Sequence, residues 1–392
     1  MSLPEEIVEE ILLRVPVSSL LPLRTVCRSW RTLISSSKFA KDHARRSILV
    51  DPTLTHPRIA YYGDDYKYRG IGIFSIRSVF ENTFREPTQV TCFQHQTQRY
   101  FRAIGSCNGL LCLVDEADHP NTVKAILWNP CTGSTSEPTP EIGGFFVVCG
   151  FGYDRVSDRY KLFGILTDLE SYKRRSVIYT FAPNSSWRTI QDVDLNLLGH
   201  IDVNNRDGEF VNSSNSNTLN WVGRNGVVLS LDLGNETYSY FCLPERDPED
   251  NLRVSVELSV LRNRLAVCFE HKRSDWAVWV MEEYGVTESW TRLPLIPHQM
   301  VNPNDDRCLR PLYISDDDVL LAITPSFRIV LCDLKVKYVL LFPMIVGGFV
   351  DNDLYLYSQC TYAKSFYVYH ESLVSPSHYA IASSRFIKPV AS

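Results

Sequence analysis

From Glu5 the apolar residues fall at Ile7, Val8, Ile11, Leu12 and Val15, a spacing that lays one broad stripe along an α-helix. Ser2 reads as its N-cap, with Glu5 three positions on as the capping-box partner, and Glu5 and Glu6 suit the positive end of the helix dipole. Pro16 ends that helix, and Val17-Ser18-Ser19 reads as a turn with a new cap. Leu20, Leu23 and Val26 carry a second stripe, and Trp30, Leu33 and Ile34 keep helical spacing with Val26. Arg24, Arg28 and Arg31 fall on a different face and are expected in solvent. Ser35-Ser36-Ser37 closes the segment, and Phe39 through Arg46 reads as one more short helix. No later stretch combines helical period, cap and length.

From about residue 102 the pattern changes to short strands repeating with a period of about 40 residues. Each unit has a polar or glycine turn, an apolar strand, an aromatic-rich strand and a third strand ending in a turn. The units are read at Gly105 to Gly133, Tyr160 to Arg188, Thr218 to Leu243, Arg264 to Thr291, Asp318 to Leu341 and Asp353 to Tyr369. Leu354-Tyr355-Leu356-Tyr357 and Phe366-Tyr367-Val368-Tyr369 alternate as half-buried strands do. Residues 48–101, with Arg58 to Tyr62 and Gly72 to Ile76, hold enough for one more irregular unit. Such units predict an all-β propeller of roughly six or seven blades, because one small sheet cannot cover both its faces and neighbours must stack into a closed ring. An antiparallel sandwich is the other arrangement open to this pattern.

The division is therefore a helical module at 1–47 and a β domain at 48–392. A module that short cannot bury enough surface to stand alone without staples. Its helices carry more apolar surface than they can hide among themselves, so the sequence calls for a covering partner, either the rest of the chain or a second protein.

Composition narrows the function. Across 392 residues, 44% are hydrophobic and 22% charged, with a formal charge of −5, so the chain is globular and lacks the basic excess of a nucleic-acid binder. The 11 cysteines are dispersed with no C-x-x-C pair, which predicts reduced, buried thiols instead of a disulfide framework or zinc site. The acidic N-terminus is unlike a signal peptide and no apolar run has membrane-span length, so a cytosolic or nuclear protein is expected. The glycosylation-like triplets at Asn184, Asn212 and Asn235 then read as chance matches in polar turns.

The order of residues in the helical segment is specific. Leu3-Pro4-Glu5-Glu6-Ile7, Ile11-Leu12-Leu13-Arg14-Val15-Pro16, Leu20-Leu21-Pro22-Leu23-Arg24 and Val26-Cys27-Arg28-Ser29-Trp30-Arg31-Thr32-Leu33-Ile34 together resemble the F-box. The resemblance implies a helical hook that docks on a Skp-family adaptor, which binds a cullin scaffold. By matching position it implies adaptor-binding roles, as members or supports of that face, for Leu3, Pro4, Ile7, Ile11, Leu12, Pro16, Leu20, Leu23, Val26 and Trp30. Gly105-Ser106-Cys107-Asn108-Gly109-Leu110-Leu111, Leu127-Trp128-Asn129-Pro130, Gly150-Phe151-Gly152-Tyr153-Asp154, Ser289-Trp290 and Glu371-Ser372-Leu373 resemble the plant F-box-associated domain, a group that includes F-box/kelch-repeat and S-locus F-box proteins. Gly-Gly occurs only at Gly143-Gly144 and Gly347-Gly348, unlike true kelch repeats, which departs from the kelch label and not from the propeller. The family implies a non-catalytic substrate-recognition subunit of a cullin–RING ubiquitin ligase, whose propeller recruits a target protein.

Other candidate chemistry is weak. Gly150-Phe151-Gly152 lacks the third glycine and following helix of a nucleotide loop. The 9 histidines show no metal-ligand spacing, so neither metal nor cofactor is expected. Cys107, Cys112 and Cys149 sit among apolar strand residues, where packing is expected over catalysis. Trp128, Trp187, Trp221 and Trp290 recur at blade intervals and read as core. Lys173-Arg174-Arg175, Arg246 through Arg253 and Asn302 through Arg310 read as solvated loops on the propeller rim. A propeller enzyme or lectin with a helical cap remains a second reading; it requires carboxylates or a metal converging at the ring axis. An F-box scaffold uncoupled from degradation is a third.

Overall fold

The computed structural model describes residues 4–49, 54–64, 69–81, 101–115, 122–168, 171–191, 207–212, 217–223, 226–245, 256–272, 274–297, 308–324, 328–336, 338–341 and 363–376. Four helices come first: α1 (Glu5–Leu12), α2 (Val17–Leu23), α3 (Arg28–Ile34) and α4 (Ser37–Leu49). Prolines open the first two. Pro4 holds the N-cap position of α1, and its carbonyl accepts the Ile7 and Val8 N–H groups at 3.1 and 3.2 Å. Glu5 is thus the first helical residue, not the partner of a cap at Ser2, which lies outside the described residues. Pro16 does the same for α2, accepting from Ser19 and Leu20 at 2.9 and 3.0 Å, so Val17-Ser18-Ser19 is the first turn of a helix and not the expected loop. A proline at such a boundary fixes φ near its helical value and removes a donor that the helix would leave unpaired.

Pro22, inside α2, withdraws one helical donor, and α2 stops a residue later. Cys27 then caps α3, its Sγ accepting the Trp30 N–H at 3.5 Å. Val26 therefore lies in the turn before α3 and not on one continuous helix with Trp30. Ser36 Oγ accepts the Phe39 N–H at 3.1 Å at the start of α4.

Beyond α4 the described chain is almost entirely strand, with a short helix α5 (Ile76–Phe80) that the periodicity did not announce. The strands form small antiparallel sheets in chain order: Phe101–Cys107, Leu110–Asp115 and Ala125–Trp128; Phe145–Asp154, Arg159–Thr167, Arg174–Thr180 and Arg188–Thr189; Asp207–Asn212, Asn217–Val222, Val227–Asp232 and Thr237–Cys242; Glu257–Leu261, Arg264–His271, Asp275–Met281 and Trp290–Arg292; Arg310–Ile314, Val319–Ile323, Ile329–Asp333 and Tyr338–Leu341. In each the first strand lies innermost, against the first strand of the next. Asp207–Asn212 even pairs in parallel with Phe145–Asp154, Asp207 facing Cys149 and Gly208 facing Gly150.

The last sheet closes the ring. Ala363–His370 pairs with Pro57–Asp64, which pairs with Arg69–Ser75. Ile59 faces Val368 and Ala60 faces Tyr367. The segments read separately at 48–101 and Asp353–Tyr369 are thus one sheet, among the described residues, built from both ends of the β domain; Leu354 to Tyr357 lie outside them. Ser106 Oγ donates to Val368 O at 2.7 Å and Ser365 Oγ to Ala103 O at 3.3 Å, tying this sheet to the one that follows it around the ring. Closure of this kind pairs the two ends of the β domain with each other and leaves the sheet only its short inner and outer edges.

Side chains lock adjacent sheets. The Trp221 indole lies over two glycines of the inner strands: a Cβ at Gly208 would stand 2.5 Å from it and one at Gly150 2.9 Å. Its Nε1–H donates to Cys149 O at 3.1 Å. Buried Lys161 spans the same two sheets, donating to Leu233 O at 2.6 Å and Glu236 Oε1 at 2.8 Å while standing 3.0 Å from Asp154 Oδ2. Burial pushes both carboxyls up, but hydrogen bonds from Ser157, Lys161 and the Val156 N–H hold Asp154 below its ordinary value, and those from Arg188 and Lys161 do the same for Glu236. Among the described residues no helix is long and apolar enough to cross a membrane.

Two predictions follow from these locks. Trp221→Ala should destabilise the domain by about 3–5 kcal/mol in urea unfolding, since it empties a site that the glycines cannot refill; a loss below about 1 kcal/mol would contradict that role. Because the acids titrate lower folded than unfolded, their contribution is complete above about pH 4–5 and disappears as pH falls through the folded values. Lys161→Met should therefore cost stability at pH 7, with the cost shrinking as pH is lowered below about 4, and a loss that does not change with pH would remove Lys161 from this account.

Candidate functional site

Two surfaces carry functional potential: the outer side of the helices and the ring axis. On the inner side of the helical module, Leu12, Val17, Leu20, Ile34, Phe39 and Ala40 are buried in one apolar cluster that continues into Ile104, Leu110, Cys112 and Phe151 of the β body. Lys41 Nζ reaches Asp158 Oδ2 at 2.5 Å, at the tip of the hairpin between Phe145–Asp154 and Arg159–Thr167. His43 Nε2 lies 2.9 Å from Val15 O, pinning α4 to the turn before α2; burial lowers the pKa of that ring.

The outer side is uncovered. Ile7 and Ile11 of α1 are each 48% exposed and Val26, between α2 and α3, is 60% exposed. Pro4 is exposed beside them, and Pro16, Leu23 and Trp30 are half-buried. The ten residues read as adaptor-binding thus divide: Leu12 and Leu20 lie inside, the seven just named reach the surface, and Leu3 lies outside the described residues. Arg24 departs from its expected place in solvent. It is half-buried, desolvation lowers its pKa, and its Nε has no hydrogen-bond partner among the described residues.

At the axis the inner strands line a cavity of about 500 Å³, to which Ala44 and Ser47 of α4 also contribute. Arg310 Nη2 bonds Glu209 Oε1 at 2.8 Å across adjacent parts of the ring. Behind this pair, Asp207 accepts from Arg102 Nη1 at 2.5 Å, from the Tyr367 hydroxyl at 2.6 Å and from the Cys149 thiol at 3.1 Å. Arg310 also stacks over Tyr367, 5.8 Å from the ring centre. Sequence reading missed this network. It placed Arg310 at the end of a solvated loop, and no local pattern marks Arg102, Asp207 or Glu209.

The remaining candidates resolve as follows. Gly150-Phe151-Gly152 is inner-strand backbone packed against Trp221 and Phe210. Burial pushes the Cys107, Cys112 and Cys149 thiols up, away from the reactive thiolate. The nine described cysteines are free thiols, but Cys27 and Cys242 are exposed, against the expectation that all would be buried. Trp128, Trp221 and Trp290 are core, whereas Trp187 is half-buried and donates to Pro140 O at 2.8 Å. Lys173, Arg174 and Arg175 are exposed; Arg246 through Arg253 and residues 302–307 lie outside the described residues. Among the described residues no three His, Cys, Asp or Glu side chains gather as metal ligands.

The division of the helical residues is testable on stability. Leu20→Ala should cost about 2–5 kcal/mol and Val26→Ala no more than about 0.5 kcal/mol in thermal or urea unfolding. Equal costs would mean that Val26 is packed and not free.

Comparison with known proteins agrees with this architecture. Residues 1–42 match the F-box domain and residues 69–375 match the F-box associated beta propeller domain. An F-box/kelch-repeat protein of Arabidopsis thaliana is 29% identical over 334 residues, covering 82% of this chain and 85% of the relative. The F-box protein CPR1 of the same species is 27% identical over 369 residues, covering 86% and 83% respectively. The helical face, the closed β body and these matches together mean that the chain belongs to the F-box proteins that carry an F-box-associated β-propeller domain.

Proposed function

We propose that the protein is the substrate-recognition subunit of a cullin–RING ubiquitin ligase of the SCF type. In this reading Pro4, Ile7, Ile11, Pro16, Leu23, Val26 and Trp30 dock a Skp-family adaptor, Leu12 and Leu20 hold that face in shape, and the adaptor joins the cullin scaffold. The β-propeller recruits a target protein. Transfer of ubiquitin is then accelerated by proximity, with no reacting residue supplied by this chain. The observation that carries the proposal is the exposed Ile7, Ile11 and Val26 on an F-box whose opposite side is already seated on the propeller. Residues 1–47 and 48–392 serve as docking and recognition parts, in the cytosol or nucleus where ubiquitin ligases of this type work.

One observation speaks to a propeller enzyme. Acidic side chains do converge at the axis, but Asp207 and Glu209 are each bridged by an arginine, Arg102 and Arg310. Neither carboxylate is left free to act as acid or base, and the receptor reading stands ahead of it.

The test is adaptor capture. Full-length protein co-expressed with a Skp-family adaptor should co-purify with it, and the double variant Ile7→Asp with Val26→Asp should lose capture by 100-fold or more while melting at the wild-type temperature. Each change puts a charge into an interface core, where desolvation is costly. Wild-type capture by that variant would remove the proposal.

A further inference from the structure

The axial cavity has the size and lining of a small-molecule site. Its volume, about 500 Å³, falls within the range of ligand pockets, roughly 300–1,000 Å³. Phe210, Phe366, Tyr367 and Tyr369 supply broad apolar walls. Its lining also carries Arg262, Asp316, His370 and Glu371, and its floor is an ion pair in which Glu209 keeps 18% and Arg310 19% of their side-chain surface accessible. They are joined to each other at 2.8 Å.

The chemistry of that floor discriminates between ligands. An anion drawn to Arg310 would face the Glu209 carboxylate beside it and Asp207 behind. A cation drawn to Glu209 would face Arg310, with Arg102 one layer back. In a low-dielectric pocket the like-charge contact costs as much as the favourable one gains. A carboxamide meets neither objection. Its carbonyl accepts from the guanidinium, its N–H donates to the carboxylate, and it brings no net charge. We propose that the axial cavity binds a small neutral molecule with an aromatic or apolar body and a carboxamide head, held by Arg310 and Glu209. This site is separate from the adaptor face, and it stands or falls independently of adaptor docking.

Three probes of one skeleton test it: phenylacetamide, phenylacetate and phenethylamine, titrated by ligand-observed NMR into the full-length protein. Phenylacetamide should bind at least tenfold tighter than either charged analogue. In Glu209→Gln, which removes the negative half of the floor, the preference for amide over phenylacetate should fall at least tenfold. Val260→Trp, which fills the cavity from the Glu257–Leu261 strand, should abolish binding of all three while leaving the thermal unfolding temperature within a few degrees of wild type. Should Glu209→Gln fail to fold, the wild-type ranking and the Val260→Trp result decide alone. No binding by any probe, equal binding by all three, an unchanged preference in folded Glu209→Gln, or binding that survives Val260→Trp would each overturn the assignment.

Discussion

Four short helices with apolar residues on two sides have only one body to lie against. The side bearing Leu12, Leu20, Ile34 and Phe39 is covered by the propeller and shares its core. The side bearing Ile7, Ile11 and Val26 is left in water. Burial is worth about 25 cal/mol per Å² of apolar surface, so a module this small gives up part of its own stability by keeping such side chains exposed. A second polypeptide that covers them returns that stability as binding energy. The arrangement also fixes geometry: because α4 is clamped through Lys41 to Asp158, a docked adaptor would be held in a set orientation to the β body instead of on a free tether.

The body can serve as that platform because its ring is closed by backbone pairing. The strand Ala363–His370 joins Pro57–Asp64, so the beginning and end of the β domain cannot separate without breaking a ladder. The same closure brings the inner strands around an axis, where Arg102, Asp207, Glu209, Arg310 and Tyr367 meet from distant parts of the chain. Buried ion pairs of this kind add little net stability over apolar packing, but they penalise any register that separates the partners. The axis is thus both a registration device for the ring and a charged floor of the cavity.

Much of this was legible in the sequence, and the omissions have a common cause. The helical stripe and the residue order from Leu3 to Ile34 identified the module, and second strands of the sheets, such as those read at Tyr160 to Phe163 and Arg264 to Phe269, announced themselves by their apolar residues. Apart from Phe366 to Tyr369, the inner strands did not. Asp207–Asn212 reads as a polar turn, Arg310–Ile314 contains a proline, and Phe145–Asp154 is interrupted by Gly150 and Gly152. Each faces the cavity or a neighbouring indole, so its composition follows local shape and polarity, not strand alternation. Ring closure and the axial ion pairs were invisible because their partners, such as Ile59 with Val368 or Arg102 with Asp207, are brought together only by the tertiary fold. Pro16 was misread for a simpler reason: a proline that stops one helix also starts the next.

Amide hydrogen exchange on the full-length protein, alone and with a Skp-family adaptor, addresses the central claim most directly. The account predicts new protection from Glu5 through Ile34, with exchange in the inner strands and along Ala363–His370 unchanged. Protection that stays as it was across the helices, or that arises in the blades instead, would show that the exposed helical face is not what the adaptor covers.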